Sequence, residues 1–137
     1  MRRILGITLG MMMAIAVIWA FELVVQSLYP MPDSWQTASR GDVAAIMGDM
    51  PLGEKLIVVC GWFAGAFCGA WLALRICDWR AAGWVVPAVL IVAGIANLIA
   101  LPHPLWMQVA TFLAPMLGGV AASRFHRKPY RGEPLLG

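Results

Sequence analysis

Four stretches of the chain are almost wholly apolar, and polar connections separate them. The stretches cover residues 4–28, 54–76, 84–101 and 105–123. Each is close to or above the roughly 20 residues that an α-helix needs to cross a bilayer. The pattern therefore predicts an all-α fold, an integral membrane four-helix bundle that forms a single membrane domain over residues 1–137.

The first connection, the outer loop 29–53, is the only long one. Tyr29-Pro30-Met31-Pro32 contains two prolines, which stop the first helix. Asp42 has the position of an N-cap for a short helix over 43–48 that Pro51 ends. The apolar face of this helix is compatible with two positions, in the lipid interface or on the bundle; it consists of Val43, Ile46, Met47 and Met50. We predict a flexible tail over 129–137.

Composition and charge support the membrane assignment. Hydrophobic residues make up 61% of the chain and charged residues only 12%, whereas about a quarter of the residues in a soluble domain are charged. Of the ten Lys and Arg residues, only Arg40 and Lys55 lie in the first loop or at its end, and none lies between the third and fourth spans. The positive-inside rule then predicts that both termini are cytoplasmic.

The basic cluster from Arg124 to Arg131 directly follows the fourth span. This position favours topology anchoring and contact with anionic lipid over nucleic-acid binding. The partners expected from the sequence are therefore the lipid bilayer and, in addition, a homodimer or another membrane protein, with no nucleic acid.

Glycines recur at helical spacing on three spans. The second span has Gly61, Gly65 and Gly69, one every four residues; Gly6 and Gly10 lie on the first span and Gly118 on the fourth. Such strips allow helices to approach closely. We expect these glycines to be helix-packing positions, either between helices of one chain or between two copies of it.

Five polar side chains are predicted near the outer ends of the spans: Glu22, Gln26, Asn97, His103 and Gln108. Glu22 lies six residues before Leu28, about 9 Å below the outer end. A carboxylate in a span costs up to about 2.5–3.5 kcal/mol on insertion scales, so it needs a partner, a proton or water. We predict one polar pocket that opens outward and is either a hydrogen-bond cluster fixing helix registry or a site for a ligand, ion or proton.

Metal and haem sites are not expected from the His and Cys positions. His103 and His126 are predicted on opposite sides of the membrane, and Cys60, Cys68 and Cys77 form no CxxC pair. The three cysteines are expected to be small buried hydrophobic residues. No enzyme motif is present, so no cofactor is predicted and nothing favours catalysis.

Several short motifs resemble those of a functionally uncharacterised group of small four-helix bacterial inner-membrane proteins. They are Phe21-Glu22, Tyr29-Pro30-Met31-Pro32, the glycine-rich second span, and Asn97 with Pro102-His103-Pro104-Leu105-Trp106. The resemblance implies four spans and a bacterial membrane, and suggests that Glu22, Asn97 and His103 belong together.

The chain is also, more faintly, similar to small multidrug-resistance exporters. Those proteins have four helices and a Glu in the first span that binds protons and cationic drugs in turn within an antiparallel dimer. The present chain departs from them, because Glu22 lies toward the outer end and the first loop is long. A strong basic bias also fits badly with insertion in both orientations.

Two functions follow as hypotheses. The first is a non-enzymatic small multi-pass protein with an accessory or partner-binding role. The alternative is a small proton- or cation-coupled transporter that uses Glu22. An enzyme acting on lipid or quinone is supported only by the predicted position of the pocket.

Overall fold

The structure, a computed structural model, describes residues 1–30, 39–77, 79–101 and 103–126. All regular elements in these residues are α-helices: α1 (Arg2–Leu28), α2 (Arg40–Asp49), α3 (Leu52–Ile76), α4 (Ala82–Ala100) and α5 (Leu105–Phe125). The helices α1, α3, α4 and α5 are long and apolar enough to cross a membrane. The predicted all-α class and the four long helices are confirmed, with bounds within two residues of those expected. The predicted tail 129–137 lies outside the described residues, as does most of the basic cluster.

The long helices pack with α3 against each of the other three. Gly6 of α1 lies beside Cys77, at the end of α3, whereas Gly61 near the start of α3 faces Phe21. These contacts make α1 and α3 antiparallel, and equivalent contacts of Gly83 with Leu74 and of Gly119 with Pro87 make the topology up-down-up-down. We call the end of the bundle with α2 and the α4–α5 turn the α2 end, and the opposite end the termini end.

The glycine strip of α3 lies directly against α1 of the same chain. A methyl group built on Gly69 would lie 2.5 Å from the carbonyl oxygen of Gly10, and one on Gly65 would lie 2.9 Å from that of Ala14. No side chain fits into such gaps, so only glycine allows the two backbones to come this close. Gly61 faces the Phe21 side chain, 2.8 Å from its Cβ when a methyl group is added.

Glycine also brings α5 close to α3. A methyl group on Gly118 would lie 2.7 Å from the Phe63 carbonyl oxygen and 2.9 Å from the Ala66 methyl group. Gly118 is therefore at a helix-packing position within the chain. The same helix contains Pro115, which cannot donate a backbone hydrogen bond to the carbonyl of Thr111.

The termini end is the densely packed half of the bundle. Its core cluster consists of side chains that are fully buried, namely Ala14, Ala73, Cys77, Ala82 and Val86. Cys68 is only half-buried and Cys60 is exposed. The expectation that all three cysteines are buried is therefore wrong for Cys60, because its side of α3 faces outward from the bundle.

The cap of α2 differs from the prediction. Asp42 is not the N-cap; the helix begins earlier, and Ser39 caps it. The Asp42 backbone N–H donates to Ser39 Oγ at 3.4 Å, and the Ser39 backbone N–H donates to the Asp42 carboxylate at 3.0 Å. This reciprocal arrangement is a capping box, in which Asp42 occupies the third helical position and still serves the helix N-terminus.

We predict that Gly69→Ala destabilises the protein in detergent by about 1–3 kcal/mol, the usual range for overpacking. The added methyl group would collide with the backbone of α1, which cannot move as a flexible side chain can. Gly48→Ala is the matched control, since no atom lies within 4 Å of a methyl group built there. Thermal unfolding followed by size-exclusion chromatography measures both. Equal stability of the two variants would contradict the α1–α3 contact.

We also predict that the Asp42 carboxyl titrates below its ordinary pKa of 3.8, since the Ser39 hydroxyl and then the Ser39 backbone N–H stabilise its charged form. The folded pKa is lowered, so this stabilisation of α2 is present above pH 3.8 and is lost as the pH falls through the folded pKa. Carboxyl ¹³C NMR measures the midpoint. Ser39→Ala should raise the Asp42 pKa toward 3.8, whereas the distant Ser27→Ala should leave it unchanged; an unchanged midpoint in Ser39→Ala would refute the cap.

Candidate functional site

A cavity of about 210 Å³ lies at the α2 end, between α2 and the long helices. Every helix contributes to its wall, together with the turn that joins α4 to α5. The lining residues are Glu22, Val25, Gln26, Met47, Met50, Glu54, Lys55, Val58, Trp62, Asn97, Leu101, His103 and Met107. We call it the α2-end cavity.

Four of the five polar residues singled out in the sequence line this cavity: Glu22, Gln26, Asn97 and His103. They come from α1, α4 and the turn after α4. Gln108 is not part of the wall. Its Nε2 instead donates to the backbone carbonyl of His103 at 2.9 Å, so it supports the turn from outside the cavity.

The His103 ring has a defined tautomer in its neutral form. Its Nδ1 lies 2.9 Å from the Leu101 carbonyl oxygen. A carbonyl oxygen only accepts hydrogen bonds, so Nδ1 carries the proton and Nε2 has a free lone pair. His103 therefore gives the cavity a nitrogen that can accept a proton, a hydrogen bond or a metal ion.

The short helix α2 meets the cavity at its C-terminal end. Met47 and Met50 line the cavity, and the side chains of Val43 and Ile46 are half-buried. The C-terminal end of α2 therefore lies at the cavity, although α2 makes no extensive contact with any of the long helices.

Two charged residues of the wall, Glu54 and Lys55, were not expected in the site. They lie in the first turn of α3 and are only 6% and 9% exposed. Lys55 Nζ donates to the Gly48 carbonyl oxygen at 3.0 Å, which joins the C-terminal end of α2 to α3. The signal in the sequence was an acidic residue followed by a basic one directly at the start of a span, where charges are rare.

Glu54 and Lys55 each lie near a helix terminus whose partial charge is opposite to their own. The Glu54 carboxylate is near the positive N-terminal end of the α3 dipole and the Lys55 ammonium is near the negative C-terminal end of α2. These helix termini offset part of the cost of burying the two charges.

Glu22 lies on the same wall but, unlike Glu54, it is not at the N-terminus of a helix. Within the described ranges, Glu22 makes no hydrogen bond and no ion pair, and its side chain is exposed at the wall of the cavity. Two carboxylates and one ammonium leave the wall with one negative charge in excess when His103 is neutral. The cavity is therefore suited electrostatically to a cation.

A second cavity of about 170 Å³ continues toward the middle of the bundle. It shares Trp62 and Asn97 with the first cavity. Apart from these two, its wall consists of Ile18, Leu90, Ala93, Gly94, Thr111 and Pro115. The Thr111 hydroxyl donates to the Met107 carbonyl at 2.9 Å, so its hydrogen-bonding capacity is already used within α5. Most of the other wall residues are apolar.

The described residues contain no group of three His, Cys, Asp or Glu side chains placed to hold a metal ion. The sulfur atoms at the α2-end cavity belong instead to three methionines, Met47, Met50 and Met107. Thioethers are soft ligands, so they do not form the usual sites for zinc, magnesium or calcium.

We predict that Lys55→Met loosens α2. Loss of a charged hydrogen bond to Gly48 costs about 1.5–3 kcal/mol, which corresponds to at least tenfold faster amide exchange if α2 opens locally. Hydrogen exchange of the peptide covering Arg40–Asp49, followed by mass spectrometry, measures the effect. Lys55→Arg is the matched control because it retains the charge and the donor. Identical exchange in Lys55→Met and the wild type would show that this contact does not hold α2 in place.

Comparisons with known proteins assign no family to the chain. No family model, no curated protein and no solved structure matches it. The resemblances expected from the short motifs therefore remain predictions, and the function has to be inferred from the chemistry of the α2-end cavity.

Proposed function

We propose that the chain is a small multi-pass protein of the bacterial inner membrane, with the α2 end outside and both termini in the cytoplasm. The outward faces of the long helices support insertion, because they expose large apolar residues such as Val92 (67%), Ile99 (69%) and Leu113 (50%). The distribution of Lys and Arg supports the orientation. The α2-end cavity then opens to the outer side.

We propose that the α2-end cavity binds a cation from the outer side, in a non-enzymatic accessory role. The observation that carries this proposal is Glu22, a carboxylate on the cavity wall with no partner among the described residues. A bound cation would offset the cost of this charge near the membrane interior. Trp62 supplies an aromatic face to the same cavity, and such faces attract cations.

Cation-coupled transport is the second candidate, and the second cavity favours it. That cavity extends from Trp62 and Asn97 to Pro115, toward the middle of the bundle. Pro115 in α5 and Pro87 in α4 each remove a backbone hydrogen bond inside a long helix. Such positions let a helix bend, which a transporter requires in order to change access.

We predict that at least one of K⁺, tetramethylammonium and Ag⁺ stabilises the wild-type protein in lipid nanodiscs. A ligand at a hundred times its Kd raises the stability by about 2.7 kcal/mol. Glu22→Gln should bind that cation at least tenfold more weakly, since it removes the unpaired charge. A Cys60→Ala/Cys68→Ala background keeps the accessible thiols from binding Ag⁺. Thermal unfolding against cation concentration measures the affinity.

Asp49→Asn is the matched control, because it removes a carboxylate at the same end of the bundle but outside the cavity wall. No stabilisation by any of the three cations would overturn the proposal, as would equal binding by Glu22→Gln. Proteoliposomes separate the two candidates. Cation flux that Glu22→Gln abolishes would establish transport, and binding without flux would leave the accessory role.

A further inference from the structure

Three thioethers and one imidazole, arranged as two pairs, line the α2-end cavity. Met47 and Met50 are three residues apart at the end of α2, so their side chains lie on one face. Met107 lies in the first turn of α5. His103 immediately precedes Pro104, the N-cap residue of α5. Each pair is therefore local in sequence, and the cavity brings the two pairs together.

Hydrogen bonds hold both pairs in place. The bond from Lys55 to the Gly48 carbonyl fixes the segment that contains Met47 and Met50. The bond from Gln108 to the His103 carbonyl fixes the turn that contains the imidazole. A metal site gains affinity when the protein positions its ligands beforehand, and these bonds act on the segments that present them.

The His103 ring has the arrangement that a metal-binding histidine usually has. Its Nδ1–H donates to the Leu101 carbonyl, which leaves the Nε2 lone pair available. Metal-bound histidines commonly make such a bond with their other nitrogen, because it orients the ring and raises its basicity.

The ligand types select the metal class. Thioether sulfur is soft and neutral, and it favours Cu(I) over harder divalent ions. The remaining charges of the wall, Glu22 and Glu54 against Lys55, leave one negative charge in excess. A monovalent soft cation would neutralise that charge.

We propose that the α2-end cavity binds a soft monovalent metal ion of the Cu(I) class through the thioether sulfurs of Met47, Met50 and Met107 and through His103 Nε2. This inference rests on the proposed function, because it names the class of cation that the cavity takes. Glu22 supplies charge, whereas the methionines and the histidine supply the ligands.

The test uses Ag⁺ as a probe with the ligand preferences of Cu(I), on the full chain in nanodiscs and in the Cys60→Ala/Cys68→Ala background. With methionine methyl groups labelled with ¹³C, Ag⁺ should shift the NMR signals of Met47, Met50 and Met107. The signals of Met12 and Met116 should stay in place, since these residues are exposed and outside the cavity. One Ag⁺ ion should bind per chain.

Met47→Leu and Met107→Leu should each weaken Ag⁺ binding at least tenfold, because leucine retains the apolar volume but has no sulfur. Met116→Leu is the matched control and should bind as the wild type does. Any tetramethylammonium or K⁺ binding should be unchanged in all three variants.

The outcomes separate this inference from the proposed function. Glu22-dependent binding of tetramethylammonium or K⁺ without binding of Ag⁺ would overturn the metal site and leave the cation site. Ag⁺ binding that survives both methionine substitutions would also overturn it. If none of the three cations binds, both proposals are wrong.

Discussion

Backbone contact between α1 and α3 determines how the rest of the bundle is arranged. Gly69 lies against the carbonyl oxygen of Gly10, and Gly65 against that of Ala14. In a membrane, burial of apolar surface does not drive helices together, because lipid is as apolar as the side chains; close van der Waals packing does. Small residues give that packing because they let many backbone atoms reach contact distance. Because α1 packs against one side of α3, the helices α4 and α5 pack against its other sides.

The cavity follows from a change of side-chain size along α1. Toward the termini end the residues that face α3 are Gly6, Gly10 and Ala14, whereas toward the α2 end they are Ile18 and Phe21. The small residues allow the fully buried core cluster to close that half of the bundle. At the α2 end, where these side chains are bulkier, a cavity remains among the helices. Glu22, Gln26 and Asn97 line it. Packing and polarity therefore divide the bundle into a closed half and an open half.

The helix α2 completes the open half. Its capping box is independent of the bundle, since Ser39 and Asp42 satisfy each other. The position of α2 does depend on the bundle, because Lys55 of α3 donates a hydrogen bond to the Gly48 carbonyl. Lys55 thus fixes a wall of the cavity, and Glu22 and Glu54 each place a carboxylate on that wall. This excess of two carboxylates over one ammonium is the basis of the proposed cation site.

The sequence by itself determined the helices and the end of the bundle at which most site residues lie. Apolar length predicts α1, α3, α4 and α5 to within two residues, and a rise of 1.5 Å per residue places Glu22, Asn97 and His103 at the same end. It did not determine how each helix turns about its own axis or where α2 lies. Only tertiary packing decided that Gln108 bonds to the His103 backbone, that Glu54 and Lys55 are buried, and that Met47 and Met50 face inward. The physical reason is that the position of a residue along the bundle follows from the geometry of one helix. The rotation of a helix about its axis and the position of a loop depend on which neighbours fit beside them.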